Sequence, residues 1–244
     1  MLRLPQFGVA MPETAAGVVE ALQANPGARI VAGGTDIIPN LKHWLDEPPL
    51  LISLARVAEL RKLEVVTLTP ADGGEARPYL RIGAGLTLTE IAEHEQVIGQ
   101  FPSLAHAAGI VASPLIRNMG TLGGNVNLDT RCRYVNQTKF WRQAIGGGCL
   151  KSEGNVCHVV PGGRNCVAAM SSDTVPVLIS LAAEIALIGP KGERVLPLAK
   201  YFKADGIRHT TREDDELTTE IRVPLAAGPR RAAYAKWTVR KSID

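Results

Sequence analysis

Aromatic residues are scarce: four Phe, four Tyr and three Trp make up 5% of 244 residues. A core with so few rings has to be built from Val, Leu, Ile and Ala. Long apolar runs are also missing. No stretch reaches the ~18 residues of a membrane-spanning helix, and Met1 to Met11 carries Pro5 rather than the apolar run of a signal peptide. The chain therefore reads as cytoplasmic, with no membrane partner. An excess of one charge is absent too, since 27 basic residues face 24 acidic ones for a net +3. So even a balance leaves no electrostatic footprint for a polyanion and argues against nucleic acid as a partner. No complete G-x-G-x-x-G exists either: Gly83-Ala84-Gly85 is followed by Leu88 where the third glycine belongs, which rejects a nicotinamide-dinucleotide turn there.

What is present is ordinary globular composition, 45% hydrophobic and 21% charged, with 24 Gly for tight turns. At roughly 150 residues per domain, the length allows one large or two smaller domains. Ala15, Val18, Val19 and Leu22 follow one helix face, ended by Pro26 and Gly27. Ala28 to Ala32 reads as a strand, Gly33-Gly34 as a turn, and a helix is expected from about Thr35. Further strands are expected at Leu50 to Leu54 and Tyr79 to Ile82. Thr87 with Glu90 forms a capping box before a helix through Ile91. Ser103 is read as the cap of the next helix, with Leu104, Ala107, Ala108 and Val111 buried. From Asn127 to Ala169 periodicity disappears, marking an insertion. A helix returns after Ser171, and strands return near Ala186, Ile221 and Tyr234. This order suits an α+β protein whose two subdomains meet near residue 58.

Two glycine turns stand out. Ala32-Gly33-Gly34-Thr35-Asp36 lies between a strand and a helix, where successive backbone N–H groups can converge on an anion such as a diphosphate. Thr121-Leu122-Gly123-Gly124-Asn125 offers a second turn of the same kind. A Gly pair can equally just turn the chain. Asp173, before the Val175 to Leu178 run, reads on its own as a carboxylate placed at a helix N-terminus by the macrodipole.

All four cysteines fall inside the insertion, at 132, 149, 157 and 166, with separations of 17, 8 and 9. Disulfides require an oxidising compartment that the missing signal peptide argues against. No C-x₂₋₄-C knuckle of structural zinc is present. Four loop-borne thiolates suit an iron-sulfur cluster, with zinc and unligated thiols as the alternatives. Gly146 to Gly148, Gly162-Gly163, Arg131, Arg133 and Arg164 would tune such a cluster. His158 is read as a neighbour of the site.

AGGTD at 32–36, IGAGLTLTEI at 82–91, RNMGTLGGN at 117–125 and Ser172-Asp173 before VPVL resemble the FAD subunits or domains of molybdenum hydroxylases, xanthine dehydrogenase and carbon monoxide dehydrogenase among them. The resemblance covers most of the chain. It implies a two-subdomain FAD-binding fold of the vanillyl-alcohol-oxidase/molybdopterin dehydrogenase type, with residues 1–58 and 59–228 as the subdomains. Residues 229–244 would begin a truncated C-terminal subdomain. It also implies FAD-diphosphate roles for Ala32, Gly33, Gly34, Thr35, Asp36, Thr121, Gly123, Gly124 and Asn125, and a sugar-hydroxyl contact for Asp173. Lys236 and Arg240 match a basic pair near the flavin, although such residues on a late strand are usually just solvated.

The stretch from Asn125 to Asp173 spans 48 positions, more than most relatives have. In this it resembles the beta subunits of 4-hydroxybenzoyl-CoA reductases, a branch of the same family. That likeness implies a 4Fe-4S cluster on Cys132, Cys149, Cys157 and Cys166, and ferredoxin as electron donor. The implied partners are a molybdopterin-containing large subunit and a 2Fe-2S small subunit. Substrate chemistry would lie on a partner, and no catalytic nucleophile or acid-base pair stands out here. An oxidative hydroxylase subunit, and a zinc-stabilised nucleotide-binding module, are the competing readings.

Overall fold

The computed structural model describes residues 2–226, 228 and 231–238. Three short strands, β1 (Gly8–Ala10), β2 (Arg29–Val31) and β3 (Leu50–Ser53), pair in parallel in the order β1-β3-β2. Parallel strands need crossovers, and α1 (Ala15–Ala24) and α2 (Ile37–Lys42) provide them. Thr14 caps α1 by accepting a bond from Gly17 N at 3.0 Å, and Ala15, Val18, Val19 and Leu22 are all buried, as their spacing requires. Val18, Val19 and Leu22 contribute about 2 kcal/mol each by that burial, packing with Ile52, Val57, Leu60 and Leu217.

The second sheet is antiparallel, in the order β4-β5-β8-β6-β7. It joins β4 (Leu63–Leu68), β5 (Arg77–Gly83), β6 (Glu184–Gly189), β7 (Gly192–Pro197) and β8 (Leu217–Pro224). Helices α3 (Leu88–Glu93), α4 (Glu95–Gln100), α5 (Pro102–Gly109), α6 (Pro114–Arg117), α7 (Leu122–Val126), α8 (Lys139–Ile145) and α9 (Thr174–Ser180) lie between β5 and β6 in sequence. The main core sets Leu80, Ile82, Ile185, Ile221 and Val223 of the sheet against Leu104, Ala107, Leu122 and Leu178 of the helices. The α+β class expected from the element order is the one the chain adopts. Among the described residues, no helix is long and apolar enough to cross a membrane.

Some local expectations change. The Thr87 capping box forms, with Thr87 N 2.8 Å from Glu90 Oε2 and Glu90 N 3.2 Å from Thr87 Oγ1. Ser103 is not a cap: α5 begins one residue earlier, and Pro102 in its first turn needs no N–H partner. α2 begins at Ile37, two residues past the expected start near Thr35, with Gly34 in the left-handed region at φ +75° shaping the turn before it. Tyr234 lies in irregular chain instead of a strand. The insertion contains α8, capped by Thr138 and carrying an 82% exposed Phe140, so it lacks the one-sided apolar pattern that marks a helix in sequence.

Candidate flavin-binding cleft

A cleft of about 1580 Å³ runs between the two glycine turns, the start of α9, the 203–214 loop and residues 233–238. The first turn leaves the carboxyl end of β2, the place where open α/β sheets bind ligands. Among the described residues, the backbone N–H groups of Gly33, Gly34, Thr35 and Asp36 donate to no protein atom. Gly33 is required by a close approach: a Cβ there would stand 1.7 Å from Met119 O, so the two turns touch backbone to backbone. Asp36 turns its carboxylate away from those amides, pairing with Arg131 and accepting from Asp129 N at 3.4 Å.

The second turn behaves differently from the first. Leu122 N donates to Leu86 O at 2.8 Å, Gly123 N to Ala84 O at 2.9 Å and Asn125 N to Thr121 O at 2.9 Å. Gly124 N donates to Thr121 Oγ1 at 3.0 Å. Its amides therefore hold the turn itself. What this turn offers the cleft is shape: a Cβ on Gly124 would meet only Thr121 Oγ1, at 3.1 Å. Asn125 is a buried organiser, its Oδ1 accepting from Ser172 Oγ and Thr174 Oγ1 at 2.6 Å each, which sets the entry to α9.

Asp173 stands at that entry without capping the helix. Tyr234 Oη and Lys236 Nζ each approach its carboxylate at 3.1 Å. Burial, reinforced by the Asp173 carboxylate, pushes the Tyr234 phenol up to about 12. The structure thus joins Asp173 and Lys236, two positions the sequence singled out separately. Arg240 lies outside the described residues.

Residues 5–226 match the family described as "FAD binding domain in molybdopterin dehydrogenase". The chain belongs to this family. It is 33% identical over 238 residues to the aldehyde oxidoreductase FAD-binding subunit PaoB of Escherichia coli K12, covering 91% of this chain and 72% of that one. It is 27% identical to the carbon monoxide dehydrogenase medium chain of Hydrogenophaga pseudoflava, covering 95% of this chain but 63% of the relative. The solved structure of carbon monoxide dehydrogenase from Hydrogenophaga pseudoflava lacking the Mo-pyranopterin moiety superposes with a TM-score of 0.72 at 26% identity, over 99% of this chain and 67% of that one.

The cleft of this family member suits FAD on its own geometry, since it is lined both by four unpaired main-chain donors and by Gly124, which brings no side chain. The insertion of this FAD-binding chain closes at its neck, where Arg131 N bonds Ala169 O at 2.8 Å and Ala169 N bonds Arg131 O at 3.0 Å. Each sulfur accepts or shares a bond: Val135 N to Cys132 and Val160 N to Cys157 at 3.4 Å, Ser152 Oγ beside Cys149 at 3.4 Å, and Ala168 N to Cys166. Burial raises the Cys166 thiol above its ordinary value, and Cys132 and Cys149 add to that. Among the described residues no three Cys, His, Asp or Glu stand close enough to hold a metal ion.

Two of the glycine amides hold turns rather than sulfur, since Gly147 N is taken by Arg142 O at 2.7 Å and Gly163 N by Val160 O at 3.0 Å. His158 stacks on Tyr134 at 4.3 Å and bonds Gly148 O at 3.0 Å. Sequence reasoning missed two cations, one buried and one half-buried. Arg142, 2% exposed, donates to Trp44 O at 3.2 Å. Lys151 Nζ reaches Asp129 at 2.7 Å and Gly206 O at 2.9 Å, at the cleft edge. A charged residue in an apolar-poor loop gives no sequence signal that it will be buried.

Proposed function

We propose that this chain is the FAD-bearing electron-transfer subunit of a cytoplasmic molybdenum enzyme, working with a molybdopterin-containing large subunit and a 2Fe-2S small subunit. The observation that carries the reading is the row of four amides at Gly33 to Asp36, unpaired within the protein and lining a cleft that Gly124 also lines without a side chain. Those amides would hold the diphosphate, and Asp173 would share its carboxylate between Lys236 and a sugar hydroxyl. FAD, when bound, supplies a carrier that takes two electrons and releases them singly. The chain supplies position and exclusion of water.

Cys132, Cys149, Cys157 and Cys166 would ligate a 4Fe-4S cluster only after the insertion rearranges to bring them together, since among the described residues no three of them stand close enough to hold a metal ion. The insertion supports the reductive form of this function, removal of the phenolic hydroxyl of 4-hydroxybenzoyl-CoA with ferredoxin electrons. The similarity to PaoB, an aldehyde oxidoreductase subunit, favours the oxidative form, with electrons leaving a substrate instead. Anaerobic purification decides the cofactors: a brown protein with four irons per FAD is expected, and a colourless zinc protein ends the cluster reading. Potentiometry decides the direction, since flavin and cluster potentials well above those of ferredoxin rule out the reductive form.

A further inference from the structure

The insertion does more than hang from the cleft, because it grips α2 at both ends. At the amino end, Arg131 pairs with the Asp36 carboxylate, and Asp129 N donates to the same carboxylate at 3.4 Å. At the carboxyl end, Lys139 N donates to His43 O at 3.1 Å and buried Arg142 to Trp44 O at 3.2 Å. Just beyond that end, Leu45 packs on the small core of Tyr134, Val135, Cys149 and Cys132. α2 begins at the turn whose amides face the cleft, so one short helix touches both the anion turn and the thiol pocket.

From this arrangement we infer that Arg131 is a positioning residue for the flavin: it fixes Asp36, and through α2 it couples flavin binding to the order of the cysteine insertion. The inference rests on the flavin reading of the Gly33 to Asp36 turn. Two features make the coupling specific. The Arg131 and Asp36 side chains are 23% and 26% exposed, so their attraction is only partly screened by water. Arg131 is also the neck residue of the insertion, bonded through its backbone to Ala169, and Cys132 follows it directly. With Arg131 withdrawn, Asp36 would be left as an uncompensated carboxylate next to the bound diphosphate, where it repels the ligand. Coupling of this kind is reciprocal: whatever the insertion does for flavin affinity, flavin does for the insertion.

The test uses the full chain, stripped of any metal by a chelator, with FAD as the probe. Arg131→Leu is expected to raise the FAD Kd by at least about ten-fold, Arg131→Lys by less, and Asp36→Asn combined with Arg131→Leu by no more than Arg131→Leu alone. Saturating FAD is expected to slow iodoacetamide alkylation of Cys132 and Cys149 in the wild-type chain and to leave it unslowed in Arg131→Leu. A merely structural role for Arg131 would lower the melting temperature without producing that protection difference. The exposed Lys191→Leu variant, in the turn between β6 and β7, should match wild type in both measurements. If the wild type binds flavin and Arg131→Leu binds it equally well, or if flavin leaves wild-type alkylation unchanged, the inference is overturned and the flavin reading stands. A wild-type chain that takes up no flavin overturns both.

Discussion

Replacing Gly33 by Ala tests whether the two turns are pressed together as described. The new methyl carbon would sit 1.7 Å from Met119 O and 2.4 Å from Met119 C, both backbone atoms that cannot rotate away. To reach the 3.0 Å below which such contacts are essentially never found, the Met119 peptide must recede by about 1.3 Å. That peptide is not free to move, because Met119 N bonds Ile116 O at 3.2 Å and Gly120 N bonds the same oxygen at 2.7 Å. Overpacking against a constrained backbone costs about 3 kcal/mol or more. For a chain of this size that corresponds to a drop of roughly 6–12 °C in melting temperature. Flavin retention should fall with it, since the amides of Gly33 and Gly34 are displaced within the cleft lining. Thermal melting followed by circular dichroism, with flavin measured by fluorescence after desalting, reads both effects. A variant that melts within about 2 °C of wild type and keeps its flavin would refute the backbone contact.

Gly124→Val should do the reverse, leaving the melting temperature nearly unchanged because only Thr121 Oγ1 lies within reach, while obstructing flavin; unaltered flavin retention would count against the cleft wall. Asp173→Asn should weaken flavin by about ten-fold and, by removing the carboxylate beside it, let the Tyr234 phenol titrate below its present value of about 12, as read by ultraviolet titration. His209 is held below the ordinary histidine range chiefly by burial, with Lys151 contributing. The unfolded chain therefore binds more protons between that lowered value and about 6.5, so stability falls as pH drops below about 6.5. His209→Gln should flatten that fall in melts at matched ionic strength. Thr87→Ala should cost about 1 kcal/mol through the lost cap and leave flavin affinity alone, which separates general stability from the site.

Legibility in the sequence followed how local each determinant is. Helix α1 and the Thr87-Glu90 box were readable because residues three and four apart on a buried face decide them. Strands β4 and β7 escaped notice because they are the sheet's edges, with mostly exposed or half-exposed side chains and no clean alternation. The glycine positions were legible, but their reasons were only partly so. Gly33 and Gly123 answer to backbones from distant parts of the chain, Met119 and Ala84, and no pattern around residue 33 or 123 announces them. Asp36 is the same case, since its partner Arg131 lies 95 residues away. That all four cysteines share one insertion was legible, whereas the packing of Cys132 and Cys149 into one small core with Tyr134 and Val135 depends on how the loop folds back.

The cleft draws its walls from residues 32–36, 120–125, 127–129, 171–180, 203–218 and 233–238, so no single segment can bind flavin by itself. Its main-chain donors come from the turn after β2, its organising Asn125 from α7, and its balancing cations Arg131 and Lys151 from the insertion. Flavin affinity is therefore also a measure of whether these stretches have met, and a fall in affinity alone cannot distinguish a lost contact from a lost fold. Pairing each affinity with a melting temperature resolves this. Gly33→Ala should move both, Gly124→Val affinity alone, and Thr87→Ala stability alone. That three-way split can arise only if the glycine turns serve different physical purposes, one closing the cleft and the other leaving it open.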